Sequence, residues 1–238
     1  MEIHDIADYI QLDLPRPTFY IDELLPKEGI MLLFGAPKAK KSWLAEYMGC
    51  CIATGQEFIG FRTEQARVFI FNFEIAWRAY HWRLKDMIRN RFALQNQYFY
   101  EASPGISYLE RPEIFNPFAE AVRSIAPNII ILDCLAACYG GDENDSGVMA
   151  RFIENVDRLR RENNASIILV HHSRKAPSLT GSFSDMARGQ SRLTGWVDTL
   201  VYMAQQPLGI QLQILARQAT REIEAVNVRF ENYLWVRR

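Results

Sequence analysis

The residues with the most definite chemistry form one octapeptide, Gly35-Ala36-Pro37-Lys38-Ala39-Lys40-Lys41-Ser42. Seven of its eight positions follow the pattern G-x-x-x-x-G-K-[ST]. In that pattern backbone N–H groups cradle phosphates, the lysine reaches the outer phosphates and the hydroxyl binds magnesium. The octapeptide follows an apolar run and precedes a helical pattern, as a phosphate-binding loop requires. We therefore predict that Gly35 to Trp43 bind ATP, and that Ser42 binds Mg2+.

The exception to the pattern is Lys40, which stands where the second glycine is expected. If the loop needs a left-handed backbone there, a non-glycine residue costs roughly 1–2 kcal/mol. Micromolar nucleotide binding corresponds to about 8 kcal/mol, which is a much larger quantity. The extra ammonium, together with Lys38 and Lys41, also attracts phosphate. We therefore expect ATP to bind, with hydrolysis that is slowed or that depends on assembly.

Two carboxylates follow apolar runs that are typical of buried parallel strands. Asp133 ends the aliphatic run 129–132, and Glu74 follows the run 68–73. Open α/β sheets bind ligands at the carboxyl ends of their strands. The sequence therefore predicts that Asp133 holds the magnesium ion with Ser42, as phosphoryl-transfer sites require.

A third apolar run, Ser166 to Val170, delivers His171 and His172 to a strand end. The pair is also consistent with hydrogen-bonded histidines at a sheet edge, because a neutral imidazole both donates and accepts. The polar segment 173–195 that follows is long for a connection inside one domain, which favours a functional role.

The elements that position these residues follow from apolar spacing. In the helix predicted from Ala76 to about Leu94, Trp77 and Tyr80 are expected to face inward, with Leu84, Met87 and Ile88. The cations of that helix, Arg83 among them, are expected to form a solvated basic face.

The predicted fold class is α/β, with a mostly parallel twisted sheet flanked by helices. The runs 210–215 and 226–230 alternate, which predicts an antiparallel hairpin at the C-terminal edge of the sheet. We expect one domain, residues 29–238, preceded by an arm, residues 1–28, that packs on a neighbouring subunit.

Composition limits the functional classes without choosing among them. The net charge of −1 gives no overall electrostatic case for nucleic acid, so any DNA contact must come from a local patch or an oligomer. The four cysteines contain no C-x-x-C pair, which disfavours a zinc site and favours reduced thiols in the cytoplasm. We find neither a signal peptide nor a membrane-spanning run, and expect no membrane partner.

Three segments resemble the RepA-type hexameric replicative helicases and the wider RecA-like ATPases. They are residues 142–150, the histidine pair with residues 173–175, and residues 187–191. The resemblance implies a RecA-like P-loop NTPase core, a hexameric ring of identical subunits, ATP between subunits and single-stranded DNA in the channel.

The same resemblance implies roles for individual residues. Glu74 corresponds to the general base that orients the attacking water, and His172 to a sensor of the γ-phosphate that His171 orients. Arg217 and Arg221 correspond to the region whose arginine completes a neighbouring subunit's site. An ordinary strand-end carboxylate for Glu74 and a solvent-facing hairpin turn for the arginines remain the alternatives.

The cations nearest the histidine strand are the candidates for DNA contacts: Arg174, Lys175, Arg188 and Arg192. Contacts of this kind with phosphate give affinity without sequence preference. Three functional classes stay open. They are a ring-forming ATPase motor on single-stranded DNA, a regulatory or loader ATPase of a mobile element or defence system that does not unwind, and a binding module that has lost hydrolysis.

Overall fold

The computed structural model of the chain describes residues 3–14, 16–89, 91–141, 146–172 and 191–238. The strands are β1 Phe19–Ile21, β2 Leu25–Pro26, β3 Ile30–Gly35, β4 Val68–Asn72, β5 Phe99–Ala102, β6 Ile129–Asp133, β7 Ser166–His172, β8 Thr199–Gln206, β9 Gly209–Ala216, β10 Val226–Glu231 and β11 Leu234–Arg237. The helices are α1 Ile6–Tyr9, α2 Lys41–Thr54, α3 Trp77–Ile88, α4 Pro112–Ile125, α5 Leu135–Cys138, α6 Ser146–Asn163 and α7 Ser191–Trp196.

Nine of the described strands form one sheet, in the order β11-β10-β9-β8-β3-β7-β6-β4-β5. The strands from β8 to β5 in this order run parallel, whereas β8, β9, β10 and β11 pair antiparallel. The predicted mixed sheet with an antiparallel C-terminal edge is therefore confirmed. The short strand β11 was not predicted.

The central strands are apolar throughout because helices cover both faces of the sheet. Every residue of β3, β4 and β6 is buried. Along β3 the side chains alternate between two cores: Met31 and Leu33 join the core that contains α2, and Leu32 and Phe34 join the core that contains α4 and α6. This packing holds the strands in one register.

That register brings the predicted site residues to one edge of the sheet. Gly35 on β3 pairs with His172 on β7, and Asp133 on β6 pairs with both Val170 on β7 and Asn72 on β4. These positions are the carboxyl ends of adjacent parallel strands, where the loops that bind ligands emerge.

Two expectations for α3 were wrong. Trp77, predicted to face the core, is 64% exposed, whereas the side chain of Arg83, predicted to be solvated, is only 13% exposed. The exposed tryptophan lies at the first residue of α3, where Arg78 packs over its ring. Arg83 lies three residues after the buried Tyr80 and four before the buried Met87, so helix geometry turns it inward.

The N-terminal region divides into a packed part and an exposed part. The small sheet of β1 and β2 places Ile21 and Leu25 in the core. Between residues 3 and 14, by contrast, no described residue is buried, and Ile3, Ile6 and Ile10 are largely exposed. Among the described helices, none has the length and apolar content needed to span a membrane.

Candidate functional site

Two lysines in the loop between β3 and α2 have left-handed backbone conformations. Lys38 and Lys40 both have φ of 63°, and Lys40 is the N-cap of α2. The backbone at position 40 is therefore left-handed, which explains why the pattern ordinarily has glycine there. The Lys40 ammonium lies 4.4 Å from the centre of the Phe230 ring, a contact that glycine would lack.

Lys41 is buried at the first residue of α2 and bends back over the loop. Its Nζ donates hydrogen bonds to the carbonyl oxygens of Gly35, at 3.0 Å, and Ala36, at 2.8 Å. Burial lowers the pKa of Lys41, and the acidic groups Asp133 and Glu74 oppose that fall. The Lys41 ammonium is thus bound to two neutral carbonyl groups at the base of the loop. A phosphate, which is negatively charged, can replace these carbonyls as its partner.

Ser42 and Asp133 meet across the sheet edge. Ser42 Oγ donates to Asp133 Oδ1 at 3.0 Å. Burial raises the pKa of Asp133 to about 6, against the lowering effect of this hydrogen bond. A hydroxyl and a carboxylate are hard oxygen ligands of the kind Mg2+ prefers, so these two residues fit the predicted ion.

Glu74 lies just beyond β4, where a buried asparagine shapes its loop. Asn72 Oδ1 accepts from the backbone N–H of Ile75 at 2.9 Å, and Asn72 Nδ2 donates to the Ile75 carbonyl at 2.6 Å and to Ser103 Oγ at 2.9 Å. The Glu74 side chain stays 54% exposed. Asn72 was missed by sequence reasoning, although a polar residue in an apolar strand next to an acid is a detectable signal.

Two side chains, those of His172 and Cys134, contact the Glu74 carboxylate. His172 Nε2 lies 3.4 Å from Glu74 Oε2, and Cys134 Sγ donates to the same oxygen at 3.4 Å. Burial raises the pKa of the Cys134 thiol to about 12, so this sulfur stays protonated near neutral pH. The predicted base and the predicted sensor are therefore neighbours, with a thiol between their strands.

A buried ion pair borders the same cleft. Arg83 Nε lies 2.8 Å from Glu46 Oε2, and the guanidinium stacks 4.0 Å from the centre of the Trp43 ring. Burial raises the pKa of the fully buried Glu46 well above its usual range, and the Arg83 charge opposes that rise. Sequence reasoning missed this cation at the site, although the spacing from Tyr80 could have identified it.

These side chains surround a cleft of about 280 Å³ lined by Lys41, Ser42, Arg83 and His172. An adjacent cleft of about 310 Å³ shares Lys38 and Lys40 with it and extends to Phe230. Trp43 lines the first cleft and lies 5.1 Å, between ring centres, from Phe230. Together the clefts offer a cationic region and an aromatic region side by side.

The remaining predicted residues lie elsewhere. Arg217 and Arg221 follow β9, whose last residue, Ala216, pairs with Thr199 at the start of β8. They are thus at the end of the sheet opposite the phosphate loop, and Arg217 donates to the Gly195 carbonyl at 2.8 Å. The candidate DNA contacts Arg174, Lys175 and Arg188 lie outside the described residues, and of Arg192 only its place in α7 is described.

A phosphate-binding loop on a parallel strand, with acids at the ends of the neighbouring strands, defines a P-loop nucleotide-binding protein with a RecA-like sheet. The chain belongs to the AAA domain family AAA_25, whose profile matches residues 2–178. A comparison with curated protein sequences found no match.

Solved structures share the fold at low sequence identity. A solved ATPase domain superposes with a TM-score of 0.65 at 14% identity, covering 97% of this chain and 95% of that one. The RadB recombinase superposes with a TM-score of 0.61 at 15% identity, covering 88% of this chain and 90% of the other. The α/β fold expected from the sequence, with a mostly parallel sheet and an antiparallel edge, is thus shared with these solved structures.

Proposed function

We propose that the protein binds and hydrolyses ATP and couples hydrolysis to movement on single-stranded DNA as a ring of identical subunits. The observation that carries the hydrolytic part is the convergence of Lys41, Ser42, Asp133 and Glu74 at one sheet edge. One similar structure is an ATPase domain, which supports hydrolysis, and another is a recombinase, which supports the DNA-directed part.

The proposed chemistry divides among the residues of the cleft. Lys41 leaves the loop carbonyls to neutralise phosphate oxygens, and Ser42 with Asp133 would hold Mg2+. When bound, Mg2+ neutralises charge that develops on the phosphates. The half-exposed Glu74 carboxylate orients and deprotonates the attacking water, as its position at a strand end beside the cleft allows.

His172 is the proposed link between nucleotide and DNA. It is the last residue of β7, it borders the cleft, and it lies 3.4 Å from Glu74 Oε2. The segment that begins at residue 173 carries Arg174, Lys175 and Arg188, the proposed phosphate contacts, with Arg192 shortly after. A change at the γ-phosphate can therefore reach the DNA-contacting segment through one side chain.

The distant arginines support a site that is completed by a second subunit. Because Arg217 and Arg221 lie at the opposite end of the sheet, neither reaches the phosphate loop of its own chain. Arg221 is exposed and follows Thr220, which is fixed through two hydrogen bonds to Glu23 at 2.6 Å each. We favour Arg221 over Arg217, which is already bound to carbonyls of its own chain.

A second candidate is a non-unwinding ATPase in which ATP acts as a conformational switch for a regulator or loader. The left-handed Lys40 favours it, because a side chain on the loop backbone is expected to slow turnover more than binding. The net charge of −1 also gives little general attraction to DNA.

Steady-state ATP hydrolysis with and without single-stranded DNA distinguishes the two candidates. The motor proposal predicts stimulation by DNA, with loss of both basal and stimulated rates in Glu74→Gln. Glu154→Gln, an exposed glutamate on α6, is the matched control and should keep the wild-type rates. A basal rate unaffected by DNA would overturn the motor and leave the switch, whereas an unchanged rate in Glu74→Gln would remove Glu74 as the base.

A further inference from the structure

The Glu74 carboxylate and the two side chains that contact it form a set of metal-ligand atoms. Glu74, Cys134 and His172 each offer one ligand atom, and these atoms all lie within 4.8 Å of one another. His172 ends β7, Cys134 directly follows β6, and Glu74 lies two residues beyond β4; these three strands are parallel neighbours in the sheet. The sheet therefore fixes the first two residues, and the hydrogen bonds of Asn72 to Ile75 hold the turn that carries Glu74.

The distances match the ligand spacing of a tetrahedral zinc site. With bonds of about 2.0 Å to nitrogen and oxygen and about 2.3 Å to sulfur, tetrahedral Zn2+ separates nitrogen from oxygen by about 3.3 Å and sulfur from oxygen by about 3.5 Å. In this protein both the Nε2–Oε2 and the Sγ–Oε2 distances are 3.4 Å. The third pair, Sγ and Nε2, lies within 4.8 Å, whereas a tetrahedral ion needs about 3.5 Å. Two of the three distances therefore already fit, and the third needs a closing movement of at most about 1.3 Å.

The ligand set also selects among cations. A thiolate and an imidazole are soft or borderline ligands that favour Zn2+, whereas Mg2+ and Ca2+ prefer oxygen. Ser42 and Asp133, the oxygen pair proposed for Mg2+, are separate side chains that are hydrogen-bonded to each other. Since the Glu74 side chain is half-exposed, water can reach a fourth ligand position on an ion bound there.

We propose that Glu74, Cys134 and His172 form a binding site for a thiophilic divalent cation of the zinc class, and that its occupation inhibits ATP hydrolysis. Coordination breaks the S–H bond of Cys134 and releases that proton to solvent, while the carboxylate and the neutral imidazole bind without a change of oxidation state. The ion occupies Glu74 Oε2 and so removes the base. This inhibitory consequence rests on the proposed function, but binding of the metal does not.

The binding test uses Co2+ as a spectroscopic substitute for Zn2+, added to the nucleotide-free protein. We expect one Co2+ per chain, a near-ultraviolet charge-transfer band that only a thiolate ligand produces, and displacement of Co2+ by Zn2+. Cys134→Ser should abolish the band and weaken Zn2+ binding at least about tenfold, since loss of even an outer partner of a metal ligand costs roughly that much.

Two variants make the result decisive. Cys51→Ser is the matched control, because Cys51 is also buried but lies on α2 and donates to the Glu57 carbonyl. The Co2+ charge-transfer band should therefore persist in Cys51→Ser. Glu74→Gln replaces a half-exposed side chain without disturbing the core and should weaken Zn2+ binding by a similar factor. Absence of the band in the wild-type protein, or wild-type affinity in Glu74→Gln, would overturn the site.

The inhibition test measures ATP hydrolysis at saturating ATP and Mg2+ with increasing Zn2+. We expect loss of activity in the wild-type protein and in Cys51→Ser, no relief by further Mg2+, and full recovery with a chelator. Relief by Mg2+ would place the inhibiting ion at Ser42 and Asp133 and overturn the inhibitory role. If the wild-type protein hydrolyses no ATP, the proposed function fails, while the Co2+ spectra still decide the metal site.

Discussion

The left-handed backbone of Lys40 in the phosphate loop predicts a difference in stability between Lys40→Gly and Lys40→Ala. Both Lys40→Gly and Lys40→Ala remove the ammonium that lies over Phe230, so their difference reports the backbone alone. A left-handed non-glycine residue costs roughly 1–2 kcal/mol. The greater freedom of glycine in the unfolded chain offsets about 0.5–1 kcal/mol of this.

We therefore expect Lys40→Gly to be about 0.5–1 kcal/mol more stable than Lys40→Ala. Urea denaturation of the nucleotide-free proteins measures the difference, provided the m-values agree. Ala121, exposed within α4, is the control position: Ala121→Gly should lose about 1 kcal/mol, the opposite sign, because helix interiors favour alanine. An alanine variant at position 40 as stable as the glycine variant would refute the strained-loop argument.

Three further predictions concern Asp133, the ion pair of Arg83 with Glu46, and the proposed contribution of Arg221 to a neighbouring subunit. The pKa of Asp133 is about 6 in the folded protein, against an ordinary value of 3.8. Between these two pH values the folded chain keeps a proton that the unfolded chain has lost. In the absence of Mg2+, the free energy of unfolding therefore falls as the pH rises from about 4 through 6. Roughly 1 kcal/mol of that fall lies between pH 5 and pH 7 and should be missing in Asp133→Asn. An equal pH dependence of the two proteins in urea denaturation would contradict the buried carboxylate. Arg83→Ala leaves Glu46 buried without its partner and should cost about 3–5 kcal/mol, whereas Arg83→Met combined with Glu46→Leu should cost much less; equal losses would mean that the ion pair is not the cause. Arg221→Ala should lower kcat by at least about 10³-fold, and mixing it with Lys41→Ala chains should restore part of the activity, because each supplies what the other lacks; no recovery would argue against a shared site.

Much of the fold was predictable because its signals are local. The apolar runs that form β3, β4, β6 and β7 are buried on both faces of the sheet, and short continuous apolar runs are typical of such strands. The acids and histidines were predicted at the carboxyl ends of these strands, the ends that parallel strands present at one edge of a sheet. Register, however, depends on packing, and only the structure shows that Gly35 pairs with His172 and Asn72 with Asp133.

The parts that sequence reasoning missed depend on side chains that meet from distant segments. Arg83 and Glu46 lie on different helices, and the ordinary expectation for a helix rich in arginine is a solvated face. The absence of a C-x-x-C pair disfavoured zinc, yet a mixed ligand set assembled from three strand ends needs no such spacing. Cys134 had no recognisable signal, because a thiol after an aliphatic strand is ordinarily a small core residue.

The phosphate loop should bind ATP with Mg2+ even though Lys40 replaces the expected glycine. Isothermal titration calorimetry of the wild-type protein with ATP at millimolar Mg2+ tests it most directly, with Lys41→Ala as the comparison. We expect one ATP bound per chain, with binding strongly weakened in Lys41→Ala and dependent on Mg2+. No detectable binding by the folded wild-type protein at millimolar ATP would contradict the account.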